Sequence, residues 1–338
     1  MSSFQELVQA VRDSKGVAHK KDIAIGMDAL ASLQPCQSST LVGDDCAVLK
    51  SPDGSYLLFA IEGFMNEFVQ DDPWFAGYCG VMVNVSDIAA MGGRATAVVD
   101  AVWTSDSVRL TQILQGMAAA SARYKVPIVG GHTNARNDRS QLAVSIIGTA
   151  NKVLSSFEAK PGDVLMSVID LRGKYQGLGN NWNASTEAPA DRLRADLELL
   201  PQLAESGLAM VCKDISMAGP LGTLLMMLEC SGCGAEIVPE AFPRPDGVSL
   251  ARWMQTFPSY GFVFSVAPAQ VEKMKLLFYS RDLVCEEVGQ VVEGSKVWLE
   301  NETERELLWD FSETPLLGCE QLNKANDVVG EAYACGSV

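Results

Sequence analysis

The sequence is poor in histidine and contains no long apolar run. Only two histidines, His19 and His132, occur among its 338 residues, which excludes a histidine-rich metal centre. No stretch of about 18 apolar residues is present, and the first residues lack the basic and then apolar pattern of a secretion signal. These absences predict a cytoplasmic location and no membrane partner.

Basic residues are outnumbered by acidic ones. The chain has 26 Lys and Arg against 42 Asp and Glu, a formal net charge of -16. Nucleic acid is bound by clustered Lys and Arg, and because no basic stripe occurs here, the sequence predicts no nucleic-acid partner. The acidic balance is compatible with divalent cations. A hydrophobic content of 48% is ample for the cores of two domains.

The nine cysteines are odd in number and lie in apolar segments, which favours reduced core thiols over a disulfide framework. Cys230 and Cys233 have the spacing of a metal or redox pair. A structural zinc site needs four Cys or His ligands, and neither a second pair nor a neighbouring histidine accompanies these two cysteines. The sequence therefore disfavours zinc.

Shifts in composition divide the chain into four segments. An amphipathic opening followed by a polar, basic stretch favours a helix and a mobile arm. A Pro-Gly-Asp turn at residues 161–163 precedes a new strand, so a domain boundary is expected near residue 155. The predicted segments are a helix and arm at 1–39, an N-terminal domain at 40–155, a C-terminal α/β domain at 156–310 and a tail at 311–338.

Apolar periodicity and turn residues predict the elements of each domain. The N-terminal domain is expected to follow the order β-β-α-β-α-β, with strands at 46–49, 56–61, 97–103 and 142–147 and helices at 81–91 and after Asp106. The C-terminal domain is expected to have strands at 164–169, 208–212, 261–266 and 283–292 and helices near 189–205, 217–230 and 268–279. The polar stretch at 173–188 is predicted to be either a binding loop or a linker.

Acidic residues lie where elements should end, namely Asp44, Asp45, Glu62, Asp87 and Asp214. Taken singly, each is more typical of a turn or of a structural role than of a function. Most of them follow or face an apolar run, so folding could gather several carboxylates, which repel one another unless a cation joins them. A magnesium site that binds phosphate is the hypothesis that explains the set.

Asp87 is the least turn-like of these residues. It lies in the apolar stretch 81–91, which ends at a double glycine and predicts a buried helix. Helical spacing places Asn84 and Asp87 on one side, so a carboxylate lies beside an amide in an apolar element. A buried acid needs a partner, which favours a ligand at this position.

In chain order, the motifs resemble those of one enzyme superfamily. They are Gly43-Asp44-Asp45-Cys46-Ala47-Val48, Asn84-Val85-Ser86-Asp87-Ile88-Ala89-Ala90-Met91-Gly92, Val129-Gly130-Gly131-His132-Thr133 and Asp214-Ile215-Ser216. The series resembles the aminoimidazole ribonucleotide synthase superfamily, which includes thiamine-monophosphate kinase, selenophosphate synthetase, formylglycinamidine ribonucleotide synthase and the hydrogenase-maturation dehydratase. The resemblance covers roughly residues 40–300, and the second motif is the most specific.

The resemblance implies a two-domain α+β fold. In it, the N-terminal α/β domains of a homodimer pair to close a β-barrel, and the C-terminal domain is an α/β sandwich. It also implies an enzyme that uses ATP and Mg2+ to phosphorylate or activate a small-molecule phosphate acceptor in a cleft at the dimer interface. The implied metal ligands, direct or through water, are Asp44, Asp45, Glu62, Asp87 and Asp214.

Other residues are expected to act beside the metal. His132 follows a strand and two glycines, so it could stabilise a phosphate or transfer a proton; a hydrogen-bonded structural histidine is the alternative. Lys20 and Lys21 could fold over ATP from the arm and neutralise phosphate charge, although such a pair is common on helix surfaces. The expected catalytic residues are His132, Asp214 and Lys20, and the expected nucleotide-binding residues are Asn84, Gly130, Gly131, Thr133 and Lys21.

The chain departs from every named member. Met217 follows the Asp-Ile-Ser motif where thiamine-monophosphate kinase has an aspartate, and Pro258 and Ser259 replace two further acids of that kinase. No cysteine precedes Cys36, and the chain lacks the terminal cysteine of the hydrogenase-maturation enzyme. The chain therefore most resembles the aminoimidazole-ribonucleotide-synthase-related proteins, with an unidentified acceptor. Because acids are missing, a catalytically silent nucleotide-binding scaffold or regulatory subunit is the alternative function.

Overall fold

Two β-sheets, each with its own apolar core, organise the chain. The computed structural model describes residues 3–30, 42–177, 179–258 and 261–319. The helices in these ranges are α1 (Ser3–Arg12), α2 (Lys15–Leu30), α3 (Asn66–Asp71), α4 (Pro73–Ala90), α5 (Ser107–Tyr124), α6 (Ala190–Leu197), α7 (Leu199–Ser206), α8 (Gly219–Ser231), α9 (Leu250–Trp253) and α10 (Val271–Tyr279).

The strands of the first half of the chain are β1 (Ala47–Lys50), β2 (Tyr56–Gly63), β3 (Arg94–Trp103), β4 (Ile128–Asn134) and β5 (Gln141–Ala150). Those of the second half are β6 (Val164–Ile169), β7 (Lys174–Tyr175), β8 (Asn181–Asn183), β9 (Val211–Asp214), β10 (Gly234–Ile237), β11 (Phe257–Pro258), β12 (Gly261–Val266), β13 (Val284–Val292), β14 (Lys296–Glu300) and β15 (Arg305–Asp310).

The first sheet has the strand order β1-β2-β5-β3-β4. Its neighbouring strands are antiparallel except β3 and β4, which are parallel. Because side chains alternate along a strand, Leu58 and Ala60 point into the core that α4 and α5 cover, whereas Phe59 and Ile61 are exposed on the other side. One face of this sheet is therefore uncovered in the single chain, and we call it the open face.

The second sheet has the strand order β15-β14-β10-β13-β6-β12-β9. Every residue of its inner strand β12 is buried. Val263 belongs to a core that also contains residues of α1, α2 and α8, whereas Phe262 and Phe264 belong to a core with residues of α7 and α10. A continuous apolar strand of this kind is typical of a sheet that is covered on both faces.

The two N-terminal helices pack on the second half of the chain. Arg12 Nε of α1 donates to Leu308 O of β15 at 2.9 Å, and Val11 is buried in the same core as Val17 of α2. Within the stretch that was predicted to be a mobile arm, residues 15–30 form the helix α2. The sequence pattern did not indicate this helix, because α2 buries few apolar residues and its surface is polar, so helical periodicity is weak.

The strands predicted at 164–169 and 261–266 are confirmed as β6 and β12. The helix predicted after Asp106 is α5, and Asp106 caps it by accepting a hydrogen bond from Arg109 N at 2.8 Å. Residues 128–129, which the predicted order of elements did not count as a strand, begin β4, and β4 continues through the glycine motif to Asn134. The first half of the chain therefore contains one strand more than predicted.

Other predictions in the second half needed correction. The helix predicted near 189–205 is divided into α6 and α7, and the strand predicted at 208–212 lies at 211–214. Strands β10, β14 and β15 and the small sheet β11-β8-β7 were not predicted. No helix among the described residues combines the length and the apolar character needed to cross a membrane.

Candidate metal centre

Three carboxylates from distant parts of the chain meet in the structure. Asp45 lies in the turn before β1, Asp87 lies on α4, and Asp214 is the last residue of β9. One carboxylate oxygen of each lies within 4.8 Å of the others. We call these three residues the acidic trio. It lies where the two halves of the chain meet, because α4 packs on the first sheet and also contacts β9.

Each member of the trio is positioned by its local structure. Asp87 is carried by α4, an almost wholly buried helix whose apolar residues fix its position between the sheets. Asp214 is fixed by the pairing of β9 with β12, where it lies opposite Phe262. Asp45 accepts a hydrogen bond from the backbone N of Asp214 at 3.4 Å through its Oδ2, which joins the turn before β1 to the end of β9.

Burial and mutual repulsion raise the pKa values of the trio. Asp87 is 5% exposed, and its pKa is raised well above the usual value by burial and by the charges of Asp214, Glu62 and Asp45. The pKa of Asp214 is raised to about 8 by burial and by the charge of Asp45. Carboxylates in such surroundings either keep a proton or bind a cation, so the trio is chemically suited to a divalent ion.

Lys213 is a functional candidate that the sequence analysis missed. Its side chain is 5% exposed and its ammonium makes an ion pair with Asp45. Burial lowers the pKa of Lys213, but the charges of Asp45 and Asp44 outweigh this effect and raise it. Lys20 of α2 also lies close enough for its charge to lower the pKa of Asp214. A lysine inside an apolar strand, directly before an acidic motif, is the signal that could have identified Lys213.

Two buried oxygen atoms at the trio have no hydrogen-bond partner among the described residues. They are Asp87 Oδ2 and Asn84 Oδ1; Asn84 is fully buried and donates from Nδ2 to Gly80 O at 2.8 Å. A buried polar atom without a partner is costly, and magnesium prefers oxygen ligands. The residues therefore fit a Mg2+ ion that Asp45, Asp87 and Asp214 would hold, with Asn84 one helical turn away.

Asp44 lies beside the trio, but its carboxylate binds elsewhere. Its Oδ2 accepts hydrogen bonds from Ser155 Oγ at 3.0 Å and from Ser156 N at 2.8 Å, and its Oδ1 accepts one from Ser156 Oγ at 2.6 Å. These bonds attach the turn before β1 to the segment that joins the two halves. Asp44 is therefore bonded to this segment, and its predicted role as a metal ligand stays a prediction.

Glu62 lies near the trio without joining it. Alternation along β2 places it on the same face as Leu58 and Ala60, and its charge contributes to the raised pKa of Asp87 and of Asp214. Its carboxylate is not one of the three that lie within 4.8 Å of one another. Glu62 therefore stays a candidate for contact with an ion through a water molecule.

The glycine motif at residues 130–133 lies on β4, at the edge of the first sheet. Strand pairing places Gly131 beside Asp100, and both Asp100 and Glu62 pair with Val144 of β5. Gly131 is therefore three strand spacings, about 14 Å, from Glu62. A Cβ atom at Gly131 would collide with the Asp100 carboxylate, so packing within the sheet explains this glycine without a nucleotide.

The histidine of this motif points away from the trio of its own chain. His132 pairs with Ala101 of β3, which places it on the open face, and its ring centroid lies 5.6 Å from that of Trp103. The contacts of the described residues give no support for His132 as a catalytic residue at the trio. Gly130 and Thr133 lie on the same exposed strand, so their predicted nucleotide contacts are likewise unsupported within one chain.

Lys21 and the polar loop also lie away from the trio. Lys21 Nζ lies 5.0 Å from the ring centroid of Trp309, a cation–π contact that does not support nucleotide binding. In the loop, Gln176 Nε2 donates to Asp72 Oδ2 at 3.0 Å, and Asp72 caps the beginning of α4. Asp87 lies about 22 Å further along this helix, so the loop contacts the opposite end of α4.

Cys230 and Cys233 do not form a pair. Cys230 Sγ lies 3.0 Å from Cys319 Sγ, whereas Cys233 Sγ lies 3.5 Å from Ala159 O. The part of the chain that the structure describes contains no group of three potential metal ligands other than the acidic trio. Met217 lies against α2, where its carbonyl group faces Gly16, and Ser259 and the tail after residue 319 lie outside the described residues.

Comparison with known proteins identifies relatives of both halves. Residues 43–150 match the model of the AIR synthase related protein N-terminal domain, and residues 160–300 match that of the C-terminal domain. An uncharacterized protein of Synechocystis sp. is 42% identical over 320 residues, which are 93% of this chain and 98% of that protein. The thiamine-monophosphate kinase of Synechococcus elongatus is 29% identical over 236 residues, 62% of this chain and 70% of the kinase.

A solved structure shares the fold. PurL of T. maritima in complex with ATP is similar with a TM-score of 0.68 at 17% identity, over 83% of this chain and 47% of the PurL chain. This chain thus spans about half the length of PurL. The likeness in both halves confirms the predicted two-domain α+β fold and the predicted resemblance of the motifs.

Proposed function

Because the chain belongs to the family of AIR synthase related proteins, we propose that it is an ATP- and magnesium-dependent enzyme that transfers a phosphoryl group to a small molecule. The observation that carries the proposal is the convergence of Asp45, Asp87 and Asp214. A related kinase and a structural relative solved with ATP support ATP as the phosphate donor. We propose an acceptor that differs from thiamine monophosphate, because Met217 follows the Asp-Ile-Ser motif where the resemblance to that kinase implies an aspartate.

In this proposal the chain acts mainly by positioning. The trio would hold Mg2+, which would offset the negative charge that develops on the phosphates. Asn84 is held by its bond to Gly80 O and presents its free Oδ1 beside Asp87. Lys20 is half-buried on α2 and its charge reaches Asp214, so it is placed to neutralise phosphate charge.

We further propose that the protein is a homodimer in which the open faces of two first sheets meet. The exposed apolar side chains on this face belong to Leu49, Phe59, Ile61, Val99 and Ile147. A contiguous apolar face of this kind is typical of an interaction surface, and a symmetric dimer covers the same face on both subunits. Closure of a β-barrel by this pairing, and a nucleotide cleft at the interface, are parts of the proposal.

Replacement of Asp87 by Asn tests the proposed function. We expect Asp87→Asn to lower ADP release from ATP at least about hundredfold, because an amide cannot supply the negative charge that holds the metal. ADP release should be measured across a metabolite panel, together with Mg2+-dependent ATP binding by calorimetry. Asp106→Asn makes the same chemical change at a helix cap, where Asn serves as well as Asp, and should keep full activity.

The outcomes separate catalysis from other functions. Equal ADP release by the folded Asp87→Asn protein and the wild type would remove the trio from the mechanism. ATP binding that depends on Mg2+ and on Asp87, with no ADP release for any metabolite, would instead support a silent nucleotide-binding scaffold. Met217, which stands where the resemblance implies an acid, is the observation that favours this second function.

A further inference from the structure

The acidic trio has a positive partner within the protein. Among the described residues, Lys213 is the only one that makes an ion pair with a member of the trio, and it does so with Asp45. Both side chains are almost completely buried, at 5% and 7% exposure. Lys213 lies on β9 opposite Val263 of β12, so the strand pairing keeps its backbone in place.

The ion pair occupies part of the oxygen surface of the trio. Asp45 Oδ1 is bound by the Lys213 ammonium and Asp45 Oδ2 by the backbone N of Asp214. By contrast, Asp87 Oδ2 has no partner among the described residues. The side of the trio that Asp87 lines is therefore free for a metal ion, whereas the side near Lys213 is already occupied by a cation.

We propose that Lys213 takes the place of a second divalent cation, so that the acidic trio binds one metal ion per chain. This inference rests on the proposed function. Lys213 already binds Asp45 Oδ1, so a second divalent ion would have to compete with its ammonium for that oxygen. The Lys213 ammonium is a point charge that is covalently attached to a buried strand, so it cannot leave the site as a bound ion can. The protein itself therefore fixes the number of metal ions.

The test is to count bound Mn2+ on the full chain by electron paramagnetic resonance. Mn2+ alone is the probe, because it accepts the same oxygen ligands as Mg2+. We expect one ion per wild-type chain and two ions per chain in Lys213→Met, which keeps the length of the side chain but removes the charge. Lys213→Arg is the matched control, since it keeps the charge and should bind one ion.

Each result decides the inference. Two ions in the wild type, or one ion in both the wild type and Lys213→Met, would refute the role of Lys213 and leave the proposed function intact. No ion in any variant would refute the proposed metal site as well. Lys213→Gln provides a second uncharged variant, and circular dichroism checks that each protein is folded. Two ions in the wild type would refute the inference even if neither uncharged variant folds.

Discussion

The two sheets of this protein are covered to different extents. In the second sheet, helices lie on both faces of the inner strands, and the side chain of Val168 on β6 is fully buried. In the first sheet, α4 and α5 cover one face only, and Ile61 on β2 is 66% exposed. Residues 57–61 of β2 are nevertheless all apolar, and Ser167 is the one polar residue of β6. Such runs are typical of strands buried on both faces. The sequence of β2 is therefore that expected of a strand with two buried faces, although one of its faces is exposed.

This difference indicates that the two sheets contribute differently to the protein. The second sheet needs nothing beyond its own chain to bury its apolar surface, and it contributes Asp214 and Lys213 from a rigid strand. The first sheet leaves its open face for a partner and contributes Asp87 from the helix on its other face. The acidic trio therefore includes a residue from the side of the first sheet that α4 and α5 cover, opposite the open face.

The largest effects are predicted for substitutions that place a carboxylate on the open face of the first sheet or in the core of the second sheet. In Ile61→Asp, two carboxylates would be buried in the symmetric interface, so we expect dimerisation to weaken at least about hundredfold while the subunit stays folded. Analytical ultracentrifugation measures the association, and urea unfolding measures the stability of the subunit.

Val168→Asp is the matched change in the covered sheet. A lone carboxylate in that core lacks a partner and should abolish cooperative folding, since burying an unpaired charge costs several kcal/mol. If Ile61→Asp unfolds the protein as Val168→Asp does, or leaves a dimer unchanged, the open face is not the interface and the contrast between the sheets has another origin.

From the sequence, the second sheet, which is covered on both faces, and the first sheet, which has an open face, could be distinguished only in part. The alternation of burial along β2 was invisible, because residues 57–61 are all apolar; the helix with Asp87 was predictable because its length and double-glycine end are unambiguous. Short strands such as β7 and β11, of two residues each, carry too few residues to show a period. Their pairing depends on tertiary contacts.

The site was likewise predictable in its acids and not in its other groups. Asp45, Asp87 and Asp214 lie in motifs whose neighbours are informative, whereas the contacts of Asp44 with Ser155 and Ser156 join residues more than a hundred positions apart. A local sequence pattern cannot indicate a contact between residues so far apart in the chain. The face on which His132 lies could not be predicted for a related reason, since the face to which a strand residue points depends on register; its catalytic role stays a prediction.

A smaller effect is predicted at the boundary between the two sheets, where the trio lies. Asp214 has a reference pKa of 3.8 and a folded pKa raised to about 8, first by burial and then by the charge of Asp45. Its protonated form therefore favours the folded state; this contribution is full below about pH 4 and is lost progressively as the pH rises to about 8. Without divalent cations, the free energy of unfolding should fall by a few kcal/mol between about pH 5 and about pH 8.

Urea unfolding at several pH values in a chelating buffer measures this dependence. Asp214→Asn carries no titrating proton, so its stability should fall less over the same range. Added Mg2+ should restore stability mostly at the higher pH, because the metal binds the deprotonated carboxylates. The same slope in Asp214→Asn and the wild type would show that Asp214 is not the group that titrates.

The smallest predicted effect concerns Gly43, which lies in the turn before β1 that places Asp45 of the first half beside Asp214 of the second half. Gly43 has φ 127, and a Cβ atom there would lie 2.8 Å from Cys319 Sγ. Gly43→Ala should therefore destabilise the protein by about 1–3 kcal/mol, partly through backbone strain and partly through this contact. Gly54→Ala separates the two causes, because Gly54 has φ 89 and no described atom within 4 Å of its added Cβ.

If the contact matters, Gly43→Ala should cost more free energy of unfolding than Gly54→Ala, and Cys319→Ala in the same chain should recover part of the difference. Equal costs in both glycine variants would assign the whole effect to backbone strain. Mn2+ affinity provides a second measurement. A displaced turn moves Asp45 relative to Asp87 and Asp214 and should weaken metal binding, whereas Gly54→Ala, in the hairpin between β1 and β2, should leave it unchanged. The pair of variants thus tests whether the boundary between the sheets, rather than either sheet alone, sets the geometry of the metal centre.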